Sequence, residues 1–138
     1  MLTKEQLNDS GSRSLSAHLG IEVTSVSVGE LRAELPITPV IGAPEGHIHA
    51  GTVVAFAVDA ASCGSKANLP KGATGFATIE LKCNYLSSPN AGTAVAVARA
   101  VHMGGTTQIW DVEVFEKTSL KKIALFRCTQ MMLYPRAV

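Results

Sequence analysis

The sequence predicts an α+β domain in which one antiparallel β-sheet wraps around a single long, buried helix. Three observations lead there. First, Thr52 to Ala67 contains no proline and no glycine but Gly64, and Val53, Val54, Phe56, Ala57, Val58, Ala60, Ala61 and Cys63 leave it hardly any polar face. That run is too apolar for a surface helix and too short for a membrane span. Its length and its alanines favour helix over strand. Second, four segments of alternating apolar and polar residues follow it, and consecutive strands imply antiparallel meander pairing. Third, two shorter alternating segments precede it. A sheet closed around the apolar helix is the economical way to bury both.

In chain order, residues 3–8 suit a short helical turn. Ser12 or Ser14 caps a second one through His18, which Gly20 stops. These twenty residues read as a helical lead-in to a single domain spanning 1–138. Ile21 to Val28 alternates, with a slip at Thr24-Ser25. Gly29-Glu30 turns the chain into Leu31 to Ile37, where Pro36 and Pro39 place that strand near an edge or at its end. Residues 38–50 form a loop, and Asn68-Leu69-Pro70-Lys71-Gly72 ends the helix. Strands then run over Gly75 to Tyr85, Thr93 to Met103, Thr106 to Glu116 and Ile123 to Tyr134. In the first of these, Ala77, Ile79, Leu81, Cys83 and Tyr85 share one face. Phe76, Thr78, Glu80, Lys82 and Asn84 share the other, which with Arg99 is expected to face outward.

The chain has 138 residues, 46% apolar and 17% charged, with a formal net charge of +1. It can bury a core, and it has no global field for nucleic acid or an anionic membrane. Cys63, Cys83 and Cys128 are odd in number and lack CxxC spacing, which suits free thiols in a reducing compartment. The first twenty residues show no apolar signal region and nothing spans a membrane, so the expected location is the cytoplasm.

One stretch carries chemistry. GHIHAGT (46–52) is a turn of backbone N–H groups opening the helix, and with the helix dipole it suits a developing negative charge. Near the helix middle stands Asp59, a carboxylate that is costly in so apolar a setting unless paired, hydrogen-bonded or used. His49-Ala50-Gly51-Thr52, Leu69-Pro70, GFATIELKCNYLSSPNAG, HMGGTTQIWDVEV and ALFRCTQMMLYP together resemble the hot-dog-fold thioesterases of the PaaI-like, phenylacetate-degradation group, over roughly residues 20–134. The resemblance implies hydrolysis of an acyl-CoA thioester by a homodimer with two antiparallel helices, usually doubled to a tetramer. It places the oxyanion donor on the backbone N–H of Ala50 and the family's strand serine or threonine on Thr78. The family acid, nine positions after His49, falls on Val58, with Asp59 one residue further on, about 100° round a helix. The family's frequent asparagine six before the histidine is Ala43 here.

Independently, a thioester carbonyl needs donors for its oxygen and a carboxylate to attack it or to activate water. The amides of Ala50 and Gly51 suit the first, and Asp59 suits the second. They stand on the order of 12 Å apart along a helix. One thioester cannot reach both in one chain, so donors from one subunit and acid from another are expected. Thr78 would orient water or thioester, or only pair across the sheet, and His49 would anchor the turn. Asp59 also has a structural reading, bonded to a partner chain or a loop. Glu45 is a second acid, on a loop where solvation is the simpler reading. His47 and His49 form an HxH pair with no third ligand spaced for a metal. Cys63 is a packing residue before it is a nucleophile, and Trp110 belongs to a core or an interface. Cations for the CoA phosphates come from Lys66, Lys71, Lys82, Arg99, Lys121, Lys122, Arg127 and Arg136. No cofactor is implied, since CoA is part of the substrate, and no Walker or GxGxxG loop is present. The first reading is an acyl-CoA thioesterase for aromatic or medium-chain acyl groups. The alternative is a non-hydrolysing hot-dog protein that binds acyl-CoA or lipid.

Overall fold

The computed structural model describes residues 1–137, and its elements follow the alternation of the sequence. The order is α1 (Lys4–Ser10), α2 (Leu15–Leu19), β1 (Glu22–Ser27), β2 (Glu30–Pro36), a 3-10 turn (Pro39–Ile41), α3 (Ala50–Ala67), then β3 (Gly75–Tyr85), β4 (Thr93–Met103), β5 (Thr107–Glu116) and β6 (Lys122–Leu133). Thr3 and Gln6 cap α1 reciprocally, and Gly20 ends α2 at φ 87, where a side chain would be strained. Among the described residues no helix is long and apolar enough to cross a membrane.

All six strands form one antiparallel sheet in the order β1-β2-β4-β5-β6-β3. The meander expected of the last four strands holds for β4-β5-β6. β3, however, pairs with β6 at the far edge, and β2 takes the place beside β4. With the helix intervening between β2 and β3, the chain crosses over the sheet before laying down its outer strand.

The sheet packs on α3 through small residues facing large ones. Ala94, Ala96 and Ala98 of β4 are fully buried, and their neighbours on β2 and β5 are Leu31, Ala33, Leu35, Val112 and Val114. Alanines under the helix let it approach closely, while the flanking Leu and Val side chains fill the sides. Trp110 is wholly buried and lies against Gly64 of α3, where an added Cβ would stand 2.8 Å from the ring. Its indole N–H donates to Gln108 Oε1, and Gln108 donates to the Asn68 carbonyl, so the helix end is tied to the sheet through two buried polar groups. Trp110 is therefore core.

The alternation of β3 breaks. The register to β6 slips between Thr78 and Glu80, a β-bulge at Ile79. Before it, Phe76 and Thr78 pair with the buried Met132 and Gln130. After it, Leu81, Cys83 and Tyr85 pair with Cys128, Phe126 and Ala124, also buried. Paired residues share a face. The sequence reading put Thr78 outward with Glu80 and Lys82; the bulge instead turns Thr78 to the helix side and leaves Ala77, Glu80, Lys82 and Asn84 outside. It also leaves Ile79 56% exposed on an eleven-residue edge strand.

Candidate active site

The site is built on the start and the middle of α3. At its start, His49 is the N-cap, with extended φ −69 and ψ 136, and its Nδ1 accepts the Gly51 N–H at 2.8 Å. A neutral ring that accepts on Nδ1 carries its proton on Nε2. Only glycine fits at 51, because a Cβ there would meet the His49 ring at 2.9 Å. Of the two amides expected to receive an oxyanion, the Gly51 N–H is thus spent on the cap. The Ala50 N–H has no hydrogen-bond partner among the described residues, and the residue is exposed. The Tyr85 hydroxyl donates to the Ala50 carbonyl at 2.9 Å and fixes this turn to the edge strand.

The other parts of the histidine turn are structural. His47 Nδ1 lies 2.9 Å from the Ser88 carbonyl, and Ile48 donates to Pro89, so the loop is held to the β3–β4 turn. Among the described residues no three His, Cys, Asp or Glu side chains come together as metal ligands would. Glu45 is exposed on the loop.

Further along, Asp59 is half-buried and accepts one hydrogen bond, from the Ser16 hydroxyl of α2 at 2.5 Å. Burial pushes its carboxyl above the ordinary value of 3.8, and the Ser16 bond pulls only part of the way back. Val58, one residue earlier, is half-buried and packs on the core. Residues 52, 53, 56, 57, 60, 61, 64 and 65 of α3 are buried. On helical geometry Val58 and Asp59 flank the opposite, open stripe of Gly51, Ala55 and Ser62, one on either side.

Thr78 reaches this stripe indirectly. Its hydroxyl donates to Gln130 Oε1 at 2.7 Å, and Gln130 Nε2 donates to Ser62 Oγ at 3.4 Å. Gln130 is fully buried and escaped the sequence reading, although its signal was there: it is the one amide among the inward positions of β6, beside Ala124, Phe126, Cys128 and Met132. With the Thr78 proton committed, its oxygen is left to accept. Cys63 is no nucleophile in this setting, because burial and the nearby Asp59 push its thiol up to about 12.

The structure thus joins His49, Ala50 and Gly51 at the start of α3 and relates Asp59, Ser62, Gln130 and Thr78 around its middle. Nine residues of helix, about 13 Å, separate Ala50 from Asp59. Of the basic residues, Arg99, Lys122 and Arg127 are bound to Glu30, Glu113 and Asp111. Lys66 donates to Ser10.

Comparison with known proteins matches residues 45–122 to a family model described as the thioesterase superfamily. The chain is 34% identical to a 1,4-dihydroxy-2-naphthoyl-CoA hydrolase of Listeria monocytogenes, over 83% of this chain and 92% of that protein. The crystal structure of a mutant thioesterase from Pseudomonas aeruginosa superposes with a TM-score of 0.90 at 29% identity, covering 96% of this chain and 95% of that one. The PaaI protein of the E. coli phenylacetic acid degradation operon shares the fold, with a TM-score of 0.78 at 22% identity over 86% of this chain and 83% of its own.

Proposed function

The chain belongs to the thioesterase superfamily and is a thioesterase, and we propose that it hydrolyses an aromatic or medium-chain acyl-CoA at a site shared between two copies of the chain. The observation that carries this reading is the free Ala50 amide at one end of α3 and the under-satisfied Asp59 carboxylate about 13 Å away along it. No carbonyl spans that distance. Two antiparallel α3 helices facing one another across their open stripes, related by a two-fold axis perpendicular to both, bring one chain's Ala50 beside the other's Asp59. The unpaired β3 edge, with Ile79, Leu81 and Tyr85 exposed, supports such a partner, since an apolar edge strand left open invites pairing. A dimer of dimers is the assembly the family resemblance suggests.

In this mechanism the thioester oxygen accepts the Ala50 N–H, aided by the positive end of the helix dipole. Asp59 of the other chain acts as general base on a water, or attacks the carbonyl itself. Its pKa, raised by burial, makes it a stronger base than a solvated carboxylate. The Thr78 oxygen, its proton given to Gln130, accepts from the water and holds it. On the water route, the water oxygen bonds to the carbonyl carbon and the C–S bond breaks. The proton taken by Asp59 passes to the CoA thiolate. His49 positions rather than reacts: its ring fixes the turn through Gly51. No cofactor is required beyond the CoA of the substrate, whose phosphates would meet Lys71, Lys82, Lys121 or Arg136, the candidate cations not already bonded.

The test is thiol release from a panel of aryl and aliphatic acyl-CoAs, wild type beside Asp59→Asn. Turnover in wild type with loss of a hundredfold or more in the variant is expected. Equal turnover in both would remove Asp59 from the mechanism.

A further inference from the structure

We propose that Ser16 of α2 is a positioning residue for Asp59: its hydroxyl holds Oδ1 and leaves Oδ2 as the oxygen that takes the proton from water; this rests on the water route of the reading above. The Ser16 Oγ–H donates to Asp59 Oδ1 at 2.5 Å, and Oδ2 has no partner among the described residues. Asp59 lines a cavity of about 470 Å³ together with Ser16 and Ser62. The end torsion of an aspartate is broad and nearly two-fold, so an unheld carboxylate presents either oxygen at many angles. A charge-assisted bond from a fixed donor narrows that choice. A base that must meet a water within hydrogen-bond reach gains directly from the restriction.

Local chemistry fixes the donor. Ser14 opens α2 and Gly20 closes it at φ 87. The Gly20 and Ile21 amides both donate to the Ser16 carbonyl, at 3.1 and 2.9 Å, which pins the residue in its single turn. Leu19 and Ile21 pack on the core. α1 is anchored separately. Leu7 is buried, Asn8 Oδ1 accepts the Val23 N–H at 2.8 Å, and Asn8 Nδ2 donates to the Val23 carbonyl at 3.0 Å. Lys66 of α3 donates to Ser10 at 2.9 Å. The N-terminal segment is therefore held without the Ser16 bond, and the effect of that bond falls on Asp59.

The other titratable groups on the cavity wall are Glu22, Cys63 and Lys66, and among the described residues none is bonded to Asp59. Glu22 of β1 is exposed, Lys66 is turned to Ser10, and Cys63 is a neutral thiol, pushed up to about 12 by burial and by Asp59. From α1 the wall receives Leu7, Asn8 and Ser10, and from β3 Phe76, none of which titrates. Ser16 is thus the group that acts on Asp59 against burial. A bond to the ionised form favours it, so removing the hydroxyl moves the carboxyl further upward.

The experiment sets wild type beside Ser16→Ala and Ser16→Thr, with Asp59→Asn as reference and melting temperature as the check on folding. Carbon NMR follows the Asp59 carboxyl titration, assigned by its absence in Asp59→Asn. Kinetics follow kcat and KM against pH for thiol release from benzoyl-CoA and octanoyl-CoA. Ser16→Ala should move the carboxyl midpoint and the acid limb of kcat upward together. On the plateau it should lower kcat about tenfold with KM little changed. Ser16→Thr keeps the hydroxyl and should restore both. In the Asp59→Asn background, Ser16→Ala should cost nothing further. A folded Ser16→Ala variant with the wild-type midpoint, or with a moved midpoint but the wild-type kcat plateau, would overturn the positioning role while the enzyme reading stands. Equal turnover in wild type and Asp59→Asn, or no thiol release from either thioester by wild type, would remove the base that Ser16 is said to hold, and the proposal with it.

Discussion

Two carboxylates in this molecule have opposite surroundings. Glu116, at the turn from β5 to β6, gathers three backbone amides: Thr118 and Ser119 donate to Oε1 at 3.0 and 2.9 Å, and Thr93 to Oε2 at 3.3 Å. Its pKa is held down to about 2, first by the Ser119 and Thr118 amides, although the group lies at the surface. Asp59 is half-buried on an apolar helix, has one hydroxyl for company and is pushed upward. The fold completes the hydrogen bonding of the first and leaves the second wanting. A saturated carboxylate has nothing left to offer a substrate; an under-satisfied one beside a cavity gains from taking a proton.

The comparison can be broken at either member. The largest effect belongs to Asp59→Asn, which should lower kcat by a hundredfold or more, roughly 2.7 kcal/mol of barrier. Its melting temperature at pH 7 should not fall, because the buried charge is removed; a loss of both activity and fold would make Asp59 structural instead. Thr78→Val comes next: about a tenfold loss in kcat with KM for acyl-CoA nearly unchanged, read from steady-state kinetics. The pH profile should show an acid limb whose midpoint lies above the ordinary carboxylate value of 3.8, since the working form of Asp59 is ionised and burial raises its pKa. Asp59 is stabilising when protonated, so its ionisation weakens the fold as pH rises through that midpoint. Glu116→Gln has the smallest effect on catalysis, none being expected, but it should lower the melting temperature at pH 7. With a folded pKa of about 2 against an ordinary 4.5, the stabilisation by Glu116 is present above the ordinary value and lost as pH falls toward 2. The gap between wild type and Glu116→Gln should close over that range.

The segmentation of the fold was legible because it is periodic. Alternation marked all six strands, and an unbroken apolar run marked α3 with its histidine turn. What stayed hidden depends on choices that periodicity does not encode. The pairing of β3 with β6 rather than β4 is a long-range choice, and nothing in GFATIELKCNY signals the bulge at Ile79 that turns Thr78 inward. The hydrogen bond from Ser16 to Asp59 joins residues 43 apart in sequence. The division of labour between the Ala50 and Gly51 amides is also a matter of geometry, since the His49 ring bends back over one of them only. Asp59 was visible as a lone acid among apolar residues, and its displacement from position 58 was visible by counting from His49; the group it touches was not.

The central claim is that donor and acid come from different chains, and the structure offers a clean way to test it. Ala50 is the first helical residue and His49 before it is already extended, so Ala50→Pro removes the Ala50 N–H, which has no partner among the described residues, while suiting the helix start. Ala50→Pro and Asp59→Asn should each be nearly inactive. The decisive measurement is thiol release after the two inactive proteins are unfolded together and refolded as a mixture. A shared site predicts recovery, because each mixed dimer holds one site with both groups intact, giving about a quarter of wild-type activity at equal mixing. A mixture that forms mixed dimers and stays as inactive as its parents would place Ala50 and Asp59 in a site belonging to one chain, and contradict the account.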